Sequence, residues 1–116
     1  MRDIGNRGVE RDLTPAIEIS EPEQLTSPVI FASPHSGRRY PPELLRMSRL
    51  DRQALRQSED SYVDLLFDSA PAHGAPLLRA LFPRAFVDVN RNRDELDQRM
   101  FADPLPASQV PDSENF

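Results

Sequence analysis

Pro28-Val29-Ile30-Phe31-Ala32-Ser33-Pro34-His35-Ser36-Gly37-Arg38-Arg39-Tyr40-Pro41-Pro42 is the stretch on which the fold turns. Its first five residues form a continuous apolar run whose length suits a strand buried on both faces. From Ser33 to Pro42 the prolines and a glycine dictate a loop. Open α/β sheets bind ligands at the carboxyl ends of their strands, which is where this loop begins. A histidine there, His35, can bind a metal through one ring nitrogen, and its small neighbours Ser36 and Gly37 let the backbone approach closely. From spacing alone, a turn with an incidental histidine is the simpler account of the same residues.

Downstream of the loop, Asp51 is placed to cap a short helix carrying Leu55. A longer helix is predicted from near Ser58 or Ser61, because Val63, Leu66, Phe67 and Ala70 fall at helical spacing on one stripe. Glu59, Asp60 and Asp64 stand at its start, where negative charge suits the positive end of the helix dipole. Pro71 ends or kinks this helix and Gly74 marks the following turn. Two apolar runs follow, Leu77 to Phe82 and Ala85 to Val89, and read as two strands, an antiparallel pair being one arrangement. Upstream, the alternation Ala16-Ile17-Glu18-Ile19 suits an edge strand. Strand, loop, helix, strand, strand is the order of an α/β layer protein with a mixed sheet flanked by helices.

Three segments divide the chain: a polar stretch over 1–27 with the edge strand, a folded part over 28–101, and an extended proline-rich tail over 102–116. The whole chain has 116 residues, enough for one small domain. Its 12 prolines are roughly twice the usual share and favour short elements, since each removes a backbone donor. A net charge of -5 argues against general nucleic-acid binding, which needs a basic face. Cysteine is absent, which excludes disulfides and thiolate chemistry. No apolar run reaches the length of a membrane span and no signal-peptide core is visible, so a cytoplasmic protein without membrane contact is expected.

Several residues beyond His35 can do chemistry. One of Glu59, Asp60 and Asp64 can supply a carboxylate ligand, although plain helix-start charge accounts for all three. Val87-Asp88-Val89-Asn90-Arg91, with Arg84 ahead of it, offers two guanidinium groups and a carboxamide that can clamp a substrate carboxylate. Surface arginines beside a core strand are the plain alternative, and Asp88 is suited to orienting one of them. His73, the other histidine, lies between Pro71 and Gly74 and suits a cap-like role at a helix end. A catalytic zinc commonly takes three protein ligands and keeps one position open. With His73 set aside, the chain supplies one histidine.

Taken together, Ser33-Pro34-His35-Ser36-Gly37 with Tyr40-Pro41, Ser58-Glu59-Asp60-Ser61-Tyr62-Val63-Asp64, His73-Gly74-Ala75-Pro76-Leu77-Leu78, and Arg84 with Val87-Asp88-Val89-Asn90-Arg91 resemble the N-formylglutamate amidohydrolase family. That family is related to zinc carboxypeptidases and aspartoacylases. The resemblance runs from about Pro28 to about Pro106 and implies a zinc-carboxypeptidase-like layer fold, incomplete in this chain. It also implies zinc as cofactor, His35 and Asp60 as metal ligands with Glu59 the alternate, and Arg84, Asn90 and Arg91 on the substrate. Arg84 would in addition act catalytically by polarising the scissile carbonyl. The implied reaction is hydrolysis of a small N-acyl amino acid such as N-formyl-L-glutamate to formate and the amino acid.

Aspartoacylases place a ligand glutamate three residues after the histidine, where this chain has Arg38. Complete family members are much longer, and their later half supplies a further zinc-binding histidine and a glutamate base that nothing here matches. The chain on its own is therefore expected to be inactive. A truncated non-catalytic remnant and a carboxylate-binding module are the two alternatives, and unpaired apolar strand edges leave homo-oligomerisation open.

Overall fold

The computed structural model describes residues 13–95 and 103–107. Three short strands form one sheet: β1 (Ile17–Ser20), β2 (Phe31–Ser33) and β3 (Leu77–Ala80), in the order β1-β3-β2. β1 runs antiparallel to β3, with Ile17 opposite Ala80 and Ser20 opposite Leu77. β2 runs parallel to β3, with Phe31 opposite Leu77 and Ser33 opposite Arg79. The sheet is mixed, as the element order predicts. β1 is an edge strand, and its Glu18 meets Arg79 of β3 in an ion pair.

The predicted strand over Pro28–Ala32 is displaced. Val29 and Ile30 are 50% and 70% exposed, and the ladder starts only where the Phe31 amide bonds the Pro76 carbonyl at 2.9 Å. Pro28 has no amide to offer, and the chain before it is tied instead to Gly74, whose carbonyl accepts from both Thr26 and Ser27. Among the described residues β2 has one strand neighbour, so its other edge stays open. Apolar length alone could not reveal that.

Between β2 and β3 lie three one- or two-turn helices, α1 (Pro42–Met47), α2 (Arg52–Leu55) and α3 (Val63–Leu66), with 3-10 turns at Arg56–Ser58 and Ala70–His73. The sequence pattern does not predict α1, which begins at the end of the stretch that reads as a loop. Pro42 opens it, Glu43 and Arg46 complement its dipole, and Leu44 buries against Tyr40 and Leu55. α2 follows the predicted cap, since Asp51 Oδ1 accepts from the Ala54 amide at 2.8 Å.

The long amphipathic helix is not present. α3 is one turn, entered through Tyr62 at φ 65° and left at Phe67. Leu66 is 76% exposed and Phe67 44%, while Asp64 on the same turn is buried. A single turn sustains no 3.6-residue period, and Asp64 turns inward because Arg38 and Arg79 meet it there. The predicted strand over Ala85–Val89 is likewise absent. Its amides bond backward in turns, Phe86 and Val87 to the Pro83 carbonyl at 2.9 and 3.4 Å, and its Asp88 carbonyl accepts from the Arg91 amide at 3.2 Å. Val87 and Val89 are accordingly half exposed, and the antiparallel pairing predicted for this run falls with it.

Among the described residues the core divides into two clusters. Tyr40, Leu44 and Leu55 pack with Leu45 and Phe86, and Ala70, Ala75 and Leu77 pack with Phe31. Gly74 turns the chain into β3 at φ 80°, where a Cβ would lie 1.8 Å from Thr26 Oγ1. Of the predicted tail over 102–116, only residues 103–107 are described, and the rest of that expectation lies outside the described residues. Among the described residues no helix is long and apolar enough to cross a membrane.

Candidate active site

His35 leaves the carboxyl end of β2 with its backbone fixed on both sides. Ser33 Oγ and Ser36 Oγ share a buried hydrogen bond of 2.6 Å, which closes the loop around the Pro34-His35 step. Gly37 lies so close to β3's continuation that a Cβ there would be 1.9 Å from the Phe82 carbonyl oxygen. The His35 carbonyl accepts from the Asp60 amide at 3.0 Å, joining this loop to the turn before α3.

The imidazole of His35 is buried between two carboxylates. Its Nε2 is 2.8 Å from Asp88 Oδ1, and its Nδ1 is 3.6 Å from Asp60 Oδ2. Asp88 reaches this position because it ends a turn: its Oδ1 also accepts from the Asn90 amide at 2.9 Å, and its Oδ2 accepts from Arg84 Nε at 2.9 Å. Burial opposes the charge on Asp88, but the bonds from Asn90, Arg84 and His35 outweigh it and hold the carboxyl below its usual range. An ionised Asp88 can only accept, so His35 Nε2 carries the proton. In the neutral ring Nδ1 then presents a lone pair.

In that neutral tautomer Nδ1 and Asp60 Oδ2 are both acceptors, and they face each other at 3.6 Å, a separation too long for a hydrogen bond. Zinc with bonds of roughly 2 Å in tetrahedral geometry separates its ligands by roughly 3.3–3.5 Å, so the pair fits a shared cation. An imidazole oriented by a carboxylate on its far nitrogen is also the usual setting of a metal-ligating histidine. The fit is to part of a site: among the described residues no three His, Cys, Asp or Glu side chains gather to hold a metal. Arg84 Nη1 stands 4.0 Å from Asp60 Oδ1, which brings a guanidinium to the open side of the pair.

Of the residues singled out from the sequence, His35, Asp60 and Arg84 are brought together, and Asp88 holds Arg84. Asn90 joins through its backbone amide, and Arg91 Nη1 bonds the Asn90 carbonyl at 3.0 Å. Glu59, the alternate ligand, points elsewhere. Its side chain is fully buried and accepts from Tyr40 Oη at 2.8 Å, Ser61 Oγ at 3.2 Å and Arg56 Nε at 3.4 Å. His73 closes the 3-10 turn after α3 and is not among these contacts. The sequence pattern gives no sign of the Asp88–His35 bond, because a strand over Ala85–Val89 would keep Asp88 extended. The sequence pattern does not reveal the Arg38–Asp64 ion pair either: Arg38 belongs to a run of arginines that reads as a solvated face and departs from the aspartoacylase pattern.

Comparisons with known proteins agree with this arrangement of segments. Residues 27–114 match the N-formylglutamate amidohydrolase family. A crystal structure of N-formylglutamate amidohydrolase from Ralstonia eutropha JMP134 is similar, with a TM-score of 0.65 at 35% sequence identity. The similarity covers 78% of this chain and 33% of that one, so this chain spans about a third of that protein's length. A comparison with curated proteins finds no match. A family match over most of the chain and a fold shared at this identity lead to one conclusion: the chain belongs to the N-formylglutamate amidohydrolase family.

Proposed function

We propose that this chain carries one side of a zinc-dependent amidohydrolase site that hydrolyses small N-acyl amino acids, N-formyl-L-glutamate foremost, to formate and the amino acid. The observation that supports it most is the His35 ring, tied to Asp88 through Nε2 and facing Asp60 through Nδ1. His35 and Asp60 would hold the metal. When bound, zinc supplies Lewis acidity and lowers the pKa of water at its open position. Asp88 keeps the proton of His35 on Nε2 and so keeps Nδ1 available as a donor atom. Arg84, fixed by Asp88 and adjacent to Asp60, would stabilise negative charge developing on the scissile carbonyl oxygen. Asn90 and Arg91, on the turn that Asp88 caps, would hold the carboxylates of the substrate.

A third ligand and a general base would come from the part of the family fold that this chain does not match, arranged in a zinc-carboxypeptidase-like layer. Residues 1–116 alone are therefore expected to bind zinc or cobalt weakly and to show no deformylase turnover. Titration with Co2+ followed by visible absorption tests the ligand pair, with weak 1:1 binding expected and its loss expected in His35→Ala. Unchanged binding in His35→Ala would remove His35 from the site. Turnover of N-formyl-L-glutamate by residues 1–116, at a rate near that of a full-length family member, would show that the site is made of other residues.

A further inference from the structure

The two candidate ligands sit on separate segments, His35 after β2 and Asp60 before α3, and a second contact joins those segments. Arg38, three residues beyond His35, forks onto Asp64, four residues beyond Asp60. Its Nη1 donates to Asp64 Oδ1 at 3.1 Å and its Nη2 to Oδ2 at 3.3 Å. Asp64 is 5% exposed, and its carboxylate also lies 3.6 Å from Nη1 of Arg79 on β3, which ties it to the central strand. On the other side Arg38 donates to the Ser36 carbonyl at 3.4 Å and lies 5.3 Å from the centre of the Tyr62 ring. Tyr62 takes the left-handed conformation that turns the chain between Asp60 and Asp64.

We propose that Arg38 and Asp64 form a clamp that sets the spacing of His35 and Asp60, which makes both of them positioning residues for the metal. The assignment rests on reading His35 and Asp60 as a ligand pair. A bidentate fork fixes rotation as well as distance between the groups it joins, so it transmits a register that a single point charge does not. The Asp60 amide bond to the His35 carbonyl lies on the path between clamp and pair and reports whether that register is held. A merely stabilising ion pair would raise the stability of the whole chain without acting on this one spacing.

The experiment compares Arg38→Lys and Asp64→Asn with Leu44→Ala, which destabilises the chain from the Tyr40 cluster outside the clamp. Two quantities are followed in each: Co2+ affinity by titration, and exchange of the Asp60 amide by NMR relative to amides of β3. The clamp variants are expected to weaken Co2+ binding about tenfold, the size usual for groups that orient metal ligands. They should also speed Asp60 exchange about tenfold relative to β3. Leu44→Ala should change affinity less than about twofold despite its lower stability. Clamp variants that merely follow Leu44→Ala in both quantities would overturn the proposal. Absence of Co2+ binding in the wild type would instead count against the ligand pair, and the amide exchange would still decide the clamp. Loss of Asp60 protection in Asp64→Asn would then support it, and full protection would overturn it.

Discussion

Glu59 and Asp60 are consecutive carboxylates of one turn, yet Glu59 is enclosed by Tyr40, Arg56 and Ser61 whereas Asp60 stands 52% exposed against a histidine nitrogen. Both carboxylate oxygens of Glu59 accept hydrogen bonds, Oε2 from Tyr40 and Arg56 and Oε1 from Ser61, so its charge belongs to the packing of the Tyr40 cluster. Asp60 stands 3.6 Å from His35 Nδ1, an acceptor in the neutral ring, and is approached at 4.0 Å by Arg84. A carboxylate with its needs met is structural, and one left facing another acceptor is available to a cation. Sequence proximity says nothing about which is which; Glu59 leaves the 3-10 turn with extended backbone, φ -76° and ψ 134°, and the Asp60 amide is drawn to the His35 carbonyl.

The largest effect expected from breaking this contrast is at Glu59. Glu59→Ala would leave the Tyr40 hydroxyl buried without its acceptor and should destabilise the chain by about 3 kcal/mol, read as a lower urea midpoint. Gly37→Ala acts on the other side of the comparison, in the His35 loop. Its Cβ has no room against the Phe82 carbonyl, so a loss of about 2 kcal/mol is expected with broadening or shift of the His35 resonances. A fully stable Gly37→Ala would mean that the loop moves freely away from Phe82.

Tyr40 sharpens the comparison through pH. Burial first, and then the hydrogen bond and the charge of Glu59, push its hydroxyl up to about 12 from the ordinary 10.0. The folded state therefore keeps its proton where the unfolded chain releases it. This contribution is fully present below pH 10 and is lost as the pH rises through the window from about 10 to about 12. Urea midpoints should fall across that window, and Tyr40→Phe should flatten the fall. The smallest effect is at Asp60. Asp60→Ala should change stability by no more than about 0.5 kcal/mol while abolishing Co2+ binding, and a loss comparable with that of Glu59→Ala would erase the distinction drawn between them.

Local chemistry was legible in the sequence where one residue decides it. Asp51 caps α2, Gly74 takes the turn, Ile17-Glu18-Ile19 forms an edge strand, and His35 falls at a strand end. Of the elements inferred from apolar runs, that from Leu77 to Phe82 does form β3 over Leu77–Ala80, but two others fail in part or whole. Val29–Ile30 and Ala85–Val89 have strand composition, yet a strand needs a partner for its amides, and Pro28 and Pro83 redirect those amides into turns. The stripe from Val63 to Ala70 has the spacing of a helix, but one turn of helix cannot use it, and the buried position went to Asp64 because two arginines meet it. Of the site, the residue types were readable and their pairing was not. The bond from His35 to Asp88 spans 53 positions and depends on a turn that apolar composition disguised.

The central place of β3 has a consequence for how the chain comes off the ribosome. β1 and β2 each pair with β3 and not with each other, so neither can enter a sheet until Leu77–Ala80 has been synthesised and has cleared the exit tunnel. Glu18 waits for Arg79, a partner made 61 residues later, and through that interval the apolar residues of both early strands are open to chaperones and to neighbouring nascent chains. Both described neighbours then depend on one four-residue strand for their pairing. Translation pauses placed before that strand would lengthen the exposure, whereas pauses after it would fall on a chain whose three described strands can already pair.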